Sequence, residues 1–467
     1  MTAKNPLSYI LLYIPFLLAW LLAGQPHVAY LVAWGGSFFI FYLSYSGLIK
    51  PLPKDLSIFE QLMRPIFLMQ VIFAGYMCCS SIFYYINAVG YEYFDYIGNS
   101  VMFKNDLYQN IARCQLYYVL GHAALTHGIL FKMNYPVEKK YVVEAPSISN
   151  LLLGISVICL PIGYAFGKVG ALSQFSVQLT GLSFVAGTIA LAFAIREQKT
   201  TNFWFAAALF MGNLMNALVS GFKEPIIICV LLLGVFLLPI YGRKIVPLFS
   251  VLLIGLFFVL PTFIGNFRGL AGKGLELDEV RDQSIDAVFN SNEEELKGDN
   301  WEFLIYRFSE IDMFIKYINS TPNYIPFYKT QLVKDAAVSI VPRFFWPGKP
   351  VMEDMVMQRV YNAGVISKGA VVSAKPAYIV DCYLSFGMIG IWIGLFAYGA
   401  VAQWIAVKAE ELFGSYFMGC AVIFAGLFQI FWRGNSFEFL VNAVFWSVIT
   451  MYIFHYIFKN KGILTEV

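Results

Sequence analysis

The chain has 467 residues, of which 59% are hydrophobic and only 13% are charged, and its mean hydropathy is +0.66. Water-soluble proteins carry about a quarter charged residues, so this composition argues against a soluble globular fold. The apolar residues form continuous runs of about 20 residues, as membrane-crossing α-helices require, and do not alternate as in a membrane β-barrel. A net charge of +3 is too small to indicate an oppositely charged partner.

Twelve apolar segments predict an all-α polytopic membrane protein with about twelve transmembrane helices. In chain order the segments are 7–24, 27–49, 65–88, 112–131, 148–168, 173–195, 202–219, 225–241, 245–264, 378–405, 412–431 and 436–458. The fourth segment is the most polar, because it contains His122 and His127.

The basic residues of the short loops predict the orientation, since cytoplasmic loops are enriched in lysine and arginine. With the N-terminus inside, these residues gather in the inner loops, for example Lys50, Lys54 and Arg64. Both termini are then cytoplasmic. No signal peptide with a cleavage site is recognisable near the N-terminus.

A long segment, 265–377, separates the ninth and tenth predicted helices on the outer side. Loops of this length without secondary structure are uncommon and usually functional. Apolar residues at helical spacing predict helices at 300–319 and 327–342, whereas the acidic stretch 275–299 is typical of a solvated, mobile linker. The chain is thus predicted to divide into membrane helices (1–264), a partly helical loop domain (265–377) and further membrane helices (378–467).

Basic residues at the outer face are the first candidate site residues. Arginine beside a bilayer is costly unless it has a role, and its guanidinium binds phosphate at two points. We predict that Arg268, Arg343 and Arg433, together with Lys223 and Lys349, bind an anionic, lipid-linked substrate. The alternatives are snorkelling to phospholipid for Arg268 and a polar turn for Arg433.

Two short strings present these residues. VPRFFWPGKP (341–350) contains three prolines, which predict a stiff path, and Trp346 lies between Arg343 and Lys349. In SGFKEP (220–225), Glu224 either orients Lys223 toward a phosphate or forms a simple salt bridge with it.

Three carboxylates are candidates for a general base. Asp381 falls in the first turn of a predicted membrane helix, where an unpaired carboxylate is costly, and Tyr378 precedes it by one turn. Asp381 is therefore either the partner of one of the arginines or a catalytic base. Glu438 occupies a similar place in the last predicted helix. The third candidate, Glu310, lies in the string RFSEID.

The string RFSEID is predicted to lie on a helix of the loop domain. Arg307 and Glu310 are three residues apart and can pair on one helix face, with Asp312 beside them. The alternative to catalysis by Glu310 or Asp312 is an ion pair that holds the loop domain together.

Cofactor motifs are not found in the sequence. The four histidines have no metal-binding spacing, and neither a phosphate-binding P-loop nor a dinucleotide fingerprint occurs. We therefore expect no metal or nucleotide cofactor and no nucleic-acid partner.

Four strings occur in a characteristic order along the second half of the chain. They are SGFKEP (220–225), R-F-S-x-x-D from Arg307 to Asp312, P-R-x-x-W-P-x-K-P from Pro342 to Pro350, and F-G-x-x-G from Phe386 to Gly390. Over residues 215–440 this pattern resembles the Wzy-like oligosaccharide repeat-unit polymerases, the O-antigen polymerase family.

The resemblance implies a polysaccharide polymerase of the bacterial inner membrane with its active face in the periplasm. Its substrate would be a polyprenyl-diphosphate-linked oligosaccharide, its partners would include membrane lipid and a chain-length-regulating co-polymerase, and its fold would resemble C-type glycosyltransferases. The basic residues would then hold the diphosphate, with Arg343 also stabilising the leaving group. One of Asp381, Glu310 and Glu438 would act on the acceptor hydroxyl.

Two alternatives remain at this stage. An O-antigen ligase-like transferase shares the long loop, but it would favour a histidine base, and 265–377 contains no histidine. A lipid-linked glycan flippase would place charges at mid-membrane depth, whereas here they gather at one face.

Overall fold

The computed structural model describes residues 6–90, 104–144, 147–219, 223–271, 277–291, 293–368, 374–414, 416–432 and 434–467. The helices before the loop domain are α1 Ile14–Leu21, α2 Pro26–Tyr45, α3 Pro65–Gln70, α4 Ser81–Ala88, α5 Lys104–Lys132, α6 Ile148–Gly167, α7 Ser173–Arg196, α8 Thr200–Val219, α9 Lys223–Tyr241 and α10 Val246–Ala271. They are followed by α11 Leu277–Asn290, α12 Glu293–Phe303, α13 Ile311–Ser320, α14 Gln331–Ile340, α15 Met352–Asn362, α16 Tyr378–Phe413, α17 Tyr416–Phe424, α18 Ile430–Trp432 and α19 Phe437–Asn460.

Shorter elements complete the described part of the chain. Pro6–Tyr13 and Gly242–Ile245 are 3₁₀-helical, and Val71–Cys79, Leu304–Phe308 and Ala425–Gln429 are π-helical. Strand β1 (Tyr141–Val143) pairs antiparallel with β2 (Leu464–Glu466), which ties the C-terminus to the segment before α6.

The structure is that of an α-helical membrane protein. Seven helical stretches among the described residues are long and apolar enough to cross a bilayer. The most apolar, Ile226–Phe267, has a mean hydropathy of 2.4 and includes most of α9 and α10. Many of its large side chains face outward, among them Val251, which is 68% exposed, so lipid is the surrounding that suits them. Each of the twelve predicted segments coincides with helix, and eight of them fall within these seven stretches. The other four are α5, α8 and the shorter apolar helices Pro6–Leu21 and Tyr416–Trp432, so the number twelve stays a prediction.

Helix α5 lies inside the bundle, packed along α16 and α2. Its polar side chains Gln115, His122 and Thr126 are fully buried, and the latter two hydrogen-bond to the Gln70 side chain. Because other helices surround α5, it needs no lipid-facing apolar surface. This position explains why the fourth predicted segment has the weakest hydropathy signal.

The loop domain is more helical than predicted. The acidic stretch 275–299 was expected to be a mobile linker, but α11 and most of α12 occupy it and both pack on α10. Val280 and Ser284 are buried there, which gives α11 an inward face. The prediction of one helix over 300–319 is also wrong, because the helix ends at Phe308 and a new one begins at Ile311. The helix predicted at 327–342 is confirmed, in shorter form, as α14.

Helix α16 is not the single continuous helix predicted for 378–405. Its backbone leaves helical geometry at Phe386 and Gly387, where Gly387 has φ +60°. The Tyr378 hydroxyl donates to the Gly394 carbonyl at 3.1 Å, and a Cβ on Gly390 would lie 2.0 Å from the Cys382 carbonyl oxygen. Eight residues of unbroken helix span about 12 Å, so the chain folds back on itself here.

We call 378–385 the short arm and 388–413 the long arm of α16. The F-G-x-x-G string makes this hairpin possible. Gly387 adopts the left-handed backbone at the reversal, and Gly390 leaves room for the short arm to lie against the long arm. The hairpin places Asp381 on the short arm, inside the protein.

Candidate functional site

A buried arginine joins two of the predicted carboxylates. Arg359, on α15, donates from Nη1 and Nη2 to the two oxygens of Glu438 at 2.6 and 2.8 Å. Its Nη2 also donates to Asp381 Oδ2 at 3.2 Å. All three side chains are at most 3% exposed. We call these residues the Arg359 cluster, which connects α15, the short arm of α16 and the first turn of α19.

The hydrogen bonding of the Arg359 cluster is incomplete. The amide of Phe437 donates to Asp381 Oδ2 at 2.8 Å, so one oxygen of Asp381 accepts two hydrogen bonds. Its other oxygen, Oδ1, is buried without a hydrogen-bond partner among the described residues, as are Arg359 Nε, Ser436 Oγ and the Tyr317 hydroxyl. We call these four the open atoms. Buried polar groups are normally paired, so open atoms mark a place where a ligand group or water belongs.

The charges of the Arg359 cluster favour proton or hydroxyl chemistry over anion binding. One guanidinium faces two carboxylates, and Asp335 lies near enough to interact with both Arg359 and Glu438. Although burial opposes its charge, the carboxylates raise the pKa of Arg359, so it stays protonated. The guanidinium already pairs with two carboxylates, so it has little left to offer a diphosphate. A neutral sugar hydroxyl, which donates to a carboxylate oxygen, fits it better.

Arg359 was not among the residues predicted from the sequence. Val356, Met357 and Val360 of α15 are buried with it, so it lies on the apolar face of that helix. An arginine on the apolar face of a helix must find an acidic partner. That pattern in MVMQRV (355–360) is the signal that would have identified it.

The third predicted carboxylate, Glu310, lies at a second polar centre. The Tyr76 hydroxyl donates to its Oε1 at 2.8 Å. Burial raises the pKa of Glu310, and the hydrogen bond from Tyr76 and the charge of Arg307 offset only part of that effect. Two π-helical segments, 71–79 and 304–308, contribute Tyr76 and Arg307, and such segments are frequent at functional sites.

Tyr317 connects the two centres. Burial raises the pKa of its phenol, and Asp381 and Glu310 add to that effect, so the ring lies within electrostatic range of both carboxylates. Asp381 and Glu438 belong to the first centre and Glu310 to the second, and the three come from separate segments of the chain.

The prediction for RFSEID needs correction. Since the helix breaks at Ser309, Arg307 and Glu310 do not share a helix face, and Arg307 is exposed. Asp312 pairs with Lys316 at 3.2 Å and accepts from Tyr84. The string serves to turn the chain so that Glu310 faces Tyr76.

We call residues 341–350 the aromatic loop. Lys349 is buried and donates from Nζ to the carbonyls of Ser339 and Val341, both at 2.7 Å. Arg343 donates from Nη1 to the Lys349 carbonyl at 3.1 Å and is partly exposed. Burial, with Arg343 nearby, lowers the pKa of Lys349. Lys349 thus stabilises the loop internally, and Arg343 is better placed to reach a ligand.

The aromatic loop adjoins the Arg359 cluster. Ser339 Oγ donates to the Glu438 carbonyl at 2.9 Å, so the base of the loop is attached to the first turn of α19. Trp346, in the middle of the loop sequence, is 42% exposed. Tyr378 was also predicted as a supporting residue. Its hydroxyl donates to the Gly394 carbonyl and so joins the two arms of α16.

Four predicted basic or supporting residues cannot be placed. Arg433 lies outside the described residues, and so do the side chains of Lys223, Glu224 and Arg268, which belong to α9 and α10. Their roles stay predictions.

A lateral cavity of about 320 Å³ lies elsewhere, between α7, α19 and the π-helical segment 425–429. Its lining includes Val177, Phe184 and Ala443 but none of the predicted site residues. The cavity is mostly apolar, so the chemistry of the protein is better sought at the Arg359 cluster.

A second buried arginine, Arg64, also pairs with two carboxylates and can be compared with Arg359. Arg64 donates to both oxygens of Asp55 at 2.8 and 2.6 Å and to both oxygens of Glu410 at 2.9 and 2.8 Å. Its guanidinium carbon lies 3.8 Å from the centre of the Tyr135 ring. We call this the Arg64 cluster, and it lies at the end of α16 remote from the short arm.

The fold and the site define a polytopic α-helical membrane protein with a buried, incompletely paired arginine–dicarboxylate cluster. The chain belongs to the family described as "Domain of unknown function (DUF8712)", which matches residues 14–466. Neither the curated proteins nor the solved structures contain a significant match.

Proposed function

We propose that this protein is a membrane glycosyltransferase that polymerises polyprenyl-diphosphate-linked oligosaccharide repeat units. The resemblance of residues 215–440 to Wzy-like polymerases supports the substrate class. The observation that carries the chemistry is Asp381, whose Oδ1 is an open atom while Arg359 and the Phe437 amide hold its other oxygen. A carboxylate fixed in this way is suited to receive a proton from a sugar hydroxyl.

The proposal includes an inner-membrane location, twelve transmembrane helices, cytoplasmic termini and a C-type glycosyltransferase-like arrangement. Contacts between loops predicted on the same side support the sidedness. Arg64 and Glu410, both predicted inside, form one cluster, and β1 pairs with the C-terminal β2. Asp381 and Glu438, both predicted near the periplasm, meet at Arg359.

In the proposed reaction, the acceptor hydroxyl oxygen attacks the anomeric carbon of the donor glycan. The bond between that carbon and the diphosphate oxygen breaks, and the diphosphate leaves with the electron pair. Asp381 takes the proton of the acceptor hydroxyl. Glu438 holds Arg359 in place through two hydrogen bonds, so its role is positioning. Arg343 stabilises the charge of the leaving diphosphate.

The enclosure of Asp381 requires a movement before the acceptor can bind. Asp381 is 1% exposed, so either α15 or the short arm must be displaced to admit a sugar. Closure over the substrate would exclude water, which strengthens the electrostatic interactions in the site and limits hydrolysis of the donor.

The test is a polymerisation assay in proteoliposomes with polyprenyl-diphosphate-linked repeat units and no nucleotide. We expect a ladder of longer lipid-linked glycans from the wild type and a strongly reduced ladder from Arg343→Ala. Lys334→Ala removes an exposed cation from α14 and serves as the matched control. Transfer to a different acceptor would favour a ligase, and movement of intact substrate across the bilayer without a new bond would favour a flippase.

A further inference from the structure

The aromatic loop presents a compact apolar surface. Phe344, Phe345 and Trp346 are 64%, 75% and 42% exposed. The rings of Phe344 and Phe345 contact each other edge to face, with centroids 5.2 Å apart. Three consecutive exposed aromatic residues are unusual for a water-facing loop and indicate a partner.

Hydrogen bonds hold the loop in one conformation, so its aromatic side chains can bind without the loop first becoming ordered. The amides of Phe345 and Trp346 donate to the Pro342 carbonyl at 3.0 and 3.2 Å. The two bonds from Lys349 Nζ and the bond from Arg343 Nη1 fasten the other side of the loop. Little conformational entropy is lost when such a loop binds.

Two contacts place the base of the loop beside candidate membrane helices. Trp446 Nε1, on α19, donates to the Ile340 carbonyl at 3.1 Å, directly before the loop begins. The Trp446 ring also contacts Phe175, at the start of α7, with centroids 4.7 Å apart. Both α7 and α19 are candidate membrane spans. Phe175 is the third residue of α7 and Trp446 the tenth of α19, so the base of the loop lies beside membrane helices and close to the start of α7.

We propose that Phe344, Phe345 and Trp346 insert into the lipid interface beside the Arg359 cluster. Aromatic side chains favour the depth of the lipid headgroups, where their rings are shielded from water. The partner is therefore the bilayer itself. Insertion would also hold Arg343 at phosphate depth. This inference concerns the position of the loop and stands whether or not the protein transfers glycans.

The experiment is a depth measurement with a nitroxide spin label in vesicles of phosphatidylcholine and phosphatidylglycerol. The label is attached at Phe345→Cys and, as a second site, at Phe344→Cys. Collision with molecular oxygen, which concentrates in lipid, is compared with collision with a water-soluble nickel chelate. Val251→Cys on α10 is the lipid control, and Asp282→Cys on the acidic helix α11 is the water control. Wild type treated with the same reagent corrects for the native cysteines, of which Cys79 is partly exposed and the other six are buried.

The proposal predicts that labels at 344 and 345 collide mainly with oxygen, as the label at 251 does. Nickel collision equal to that at 282 would show a loop in water and overturn the proposal. Protection from both reagents would also overturn it, since protein would then cover the loop. Unfolding temperatures equal to that of the wild type confirm that the labelled proteins are folded.

Discussion

Each end of α16 contributes a carboxylate to a cluster of one arginine, one aspartate and one glutamate. The two clusters differ in how many of their polar atoms are hydrogen-bonded. In the Arg64 cluster, the guanidinium engages all four oxygens of Asp55 and Glu410 and lies against an aromatic ring. In the Arg359 cluster, Asp381 Oδ1 and Arg359 Nε are open atoms. At the first cluster α16 continues as a regular helix, whereas at the second it folds back as a hairpin.

The difference separates a structural ion pair from a candidate reaction site. Burial of an arginine between two carboxylates does not by itself indicate function, since both clusters share it. In the Arg64 cluster every carboxylate oxygen already accepts a bond from the arginine, whereas Asp381 Oδ1 of the Arg359 cluster accepts none. Incomplete pairing in a buried place is costly, and such cost is often retained where a ligand completes the hydrogen bonds.

The largest effect on stability is expected at the Arg64 cluster. Arg64→Ala removes a buried guanidinium and leaves Asp55 and Glu410, whose side chains are 22% and 12% exposed, without their cation. This should cost about 3 kcal/mol of unfolding free energy, the lower end of the range for a broken buried pair. Denaturant unfolding in detergent measures this loss. Lys408→Ala, which removes a more exposed ion pair with Glu411, is the control and should cost less than about 1 kcal/mol. Equal stability of both variants would contradict the structural role assigned to Arg64.

A smaller effect is expected from closing the space inside the α16 hairpin. A methyl group at Gly390 would overlap the Cys382 carbonyl, and such overpacking costs about 1–3 kcal/mol. Gly390→Ala should therefore lower stability and displace the short arm with Asp381, which reduces activity. Gly255→Ala, on α10, has open space around it and should be neutral or slightly stabilising. If both alanine variants behave alike, the hairpin does not form.

The sequence alone predicted where the helices lie along the chain but not how they pack against one another. Runs of apolar residues identified the seven helical stretches that are long and apolar enough to cross a bilayer, because lipid exposure imposes composition on a helix. The hairpin in α16 was not foreseen, since its cause is a single backbone reversal at Gly387 within an apolar run. Similarly, the polar side chains of α5 reflect packing inside the bundle, which no local pattern reveals.

The candidate site was predicted in part. Asp381 and Glu438 were identified because carboxylates at the start of membrane helices are costly, and the structure brings them together. Arg359, which joins them, lies in a loop-domain helix 22 residues before Asp381 and 79 before Glu438, so its partnership depends on the tertiary fold. Lys349 is less suited to bind phosphate than predicted, because its ammonium group already donates to the carbonyls of Ser339 and Val341.

The stability of the protein should depend on pH in opposite directions through two carboxylates, Glu310 and Asp55. Burial raises the pKa of Glu310, whereas Arg64 lowers the pKa of Asp55. The stability that neutral Glu310 provides is present below its ordinary pKa of 4.5 and is lost as pH rises through the raised value. The stability from ionised Asp55 is present above 3.8 and is lost as pH falls through the lowered value.

Unfolding temperatures across the acidic pH range measure both effects. Relative to Glu310→Gln, the wild type should become less stable as pH rises above 4.5. Relative to Asp55→Asn, it should become less stable as pH falls below 3.8. Slopes of the same sign for both pairs would show that the environment of one carboxylate has been misjudged.

The contrast between the two clusters is tested most directly by neutralising one carboxylate in each and measuring glycan polymerisation and unfolding together. In Asp381→Asn the amide oxygen can accept the bonds from Arg359 and Phe437, so stability should change little. Loss of the proton acceptor should lower the polymerisation rate by about 100-fold or more. Glu410→Gln should lower the unfolding temperature and leave the rate of the folded protein near the wild-type value. A full glycan ladder from a well-folded Asp381→Asn variant would contradict the assignment of the Arg359 cluster as the reaction site.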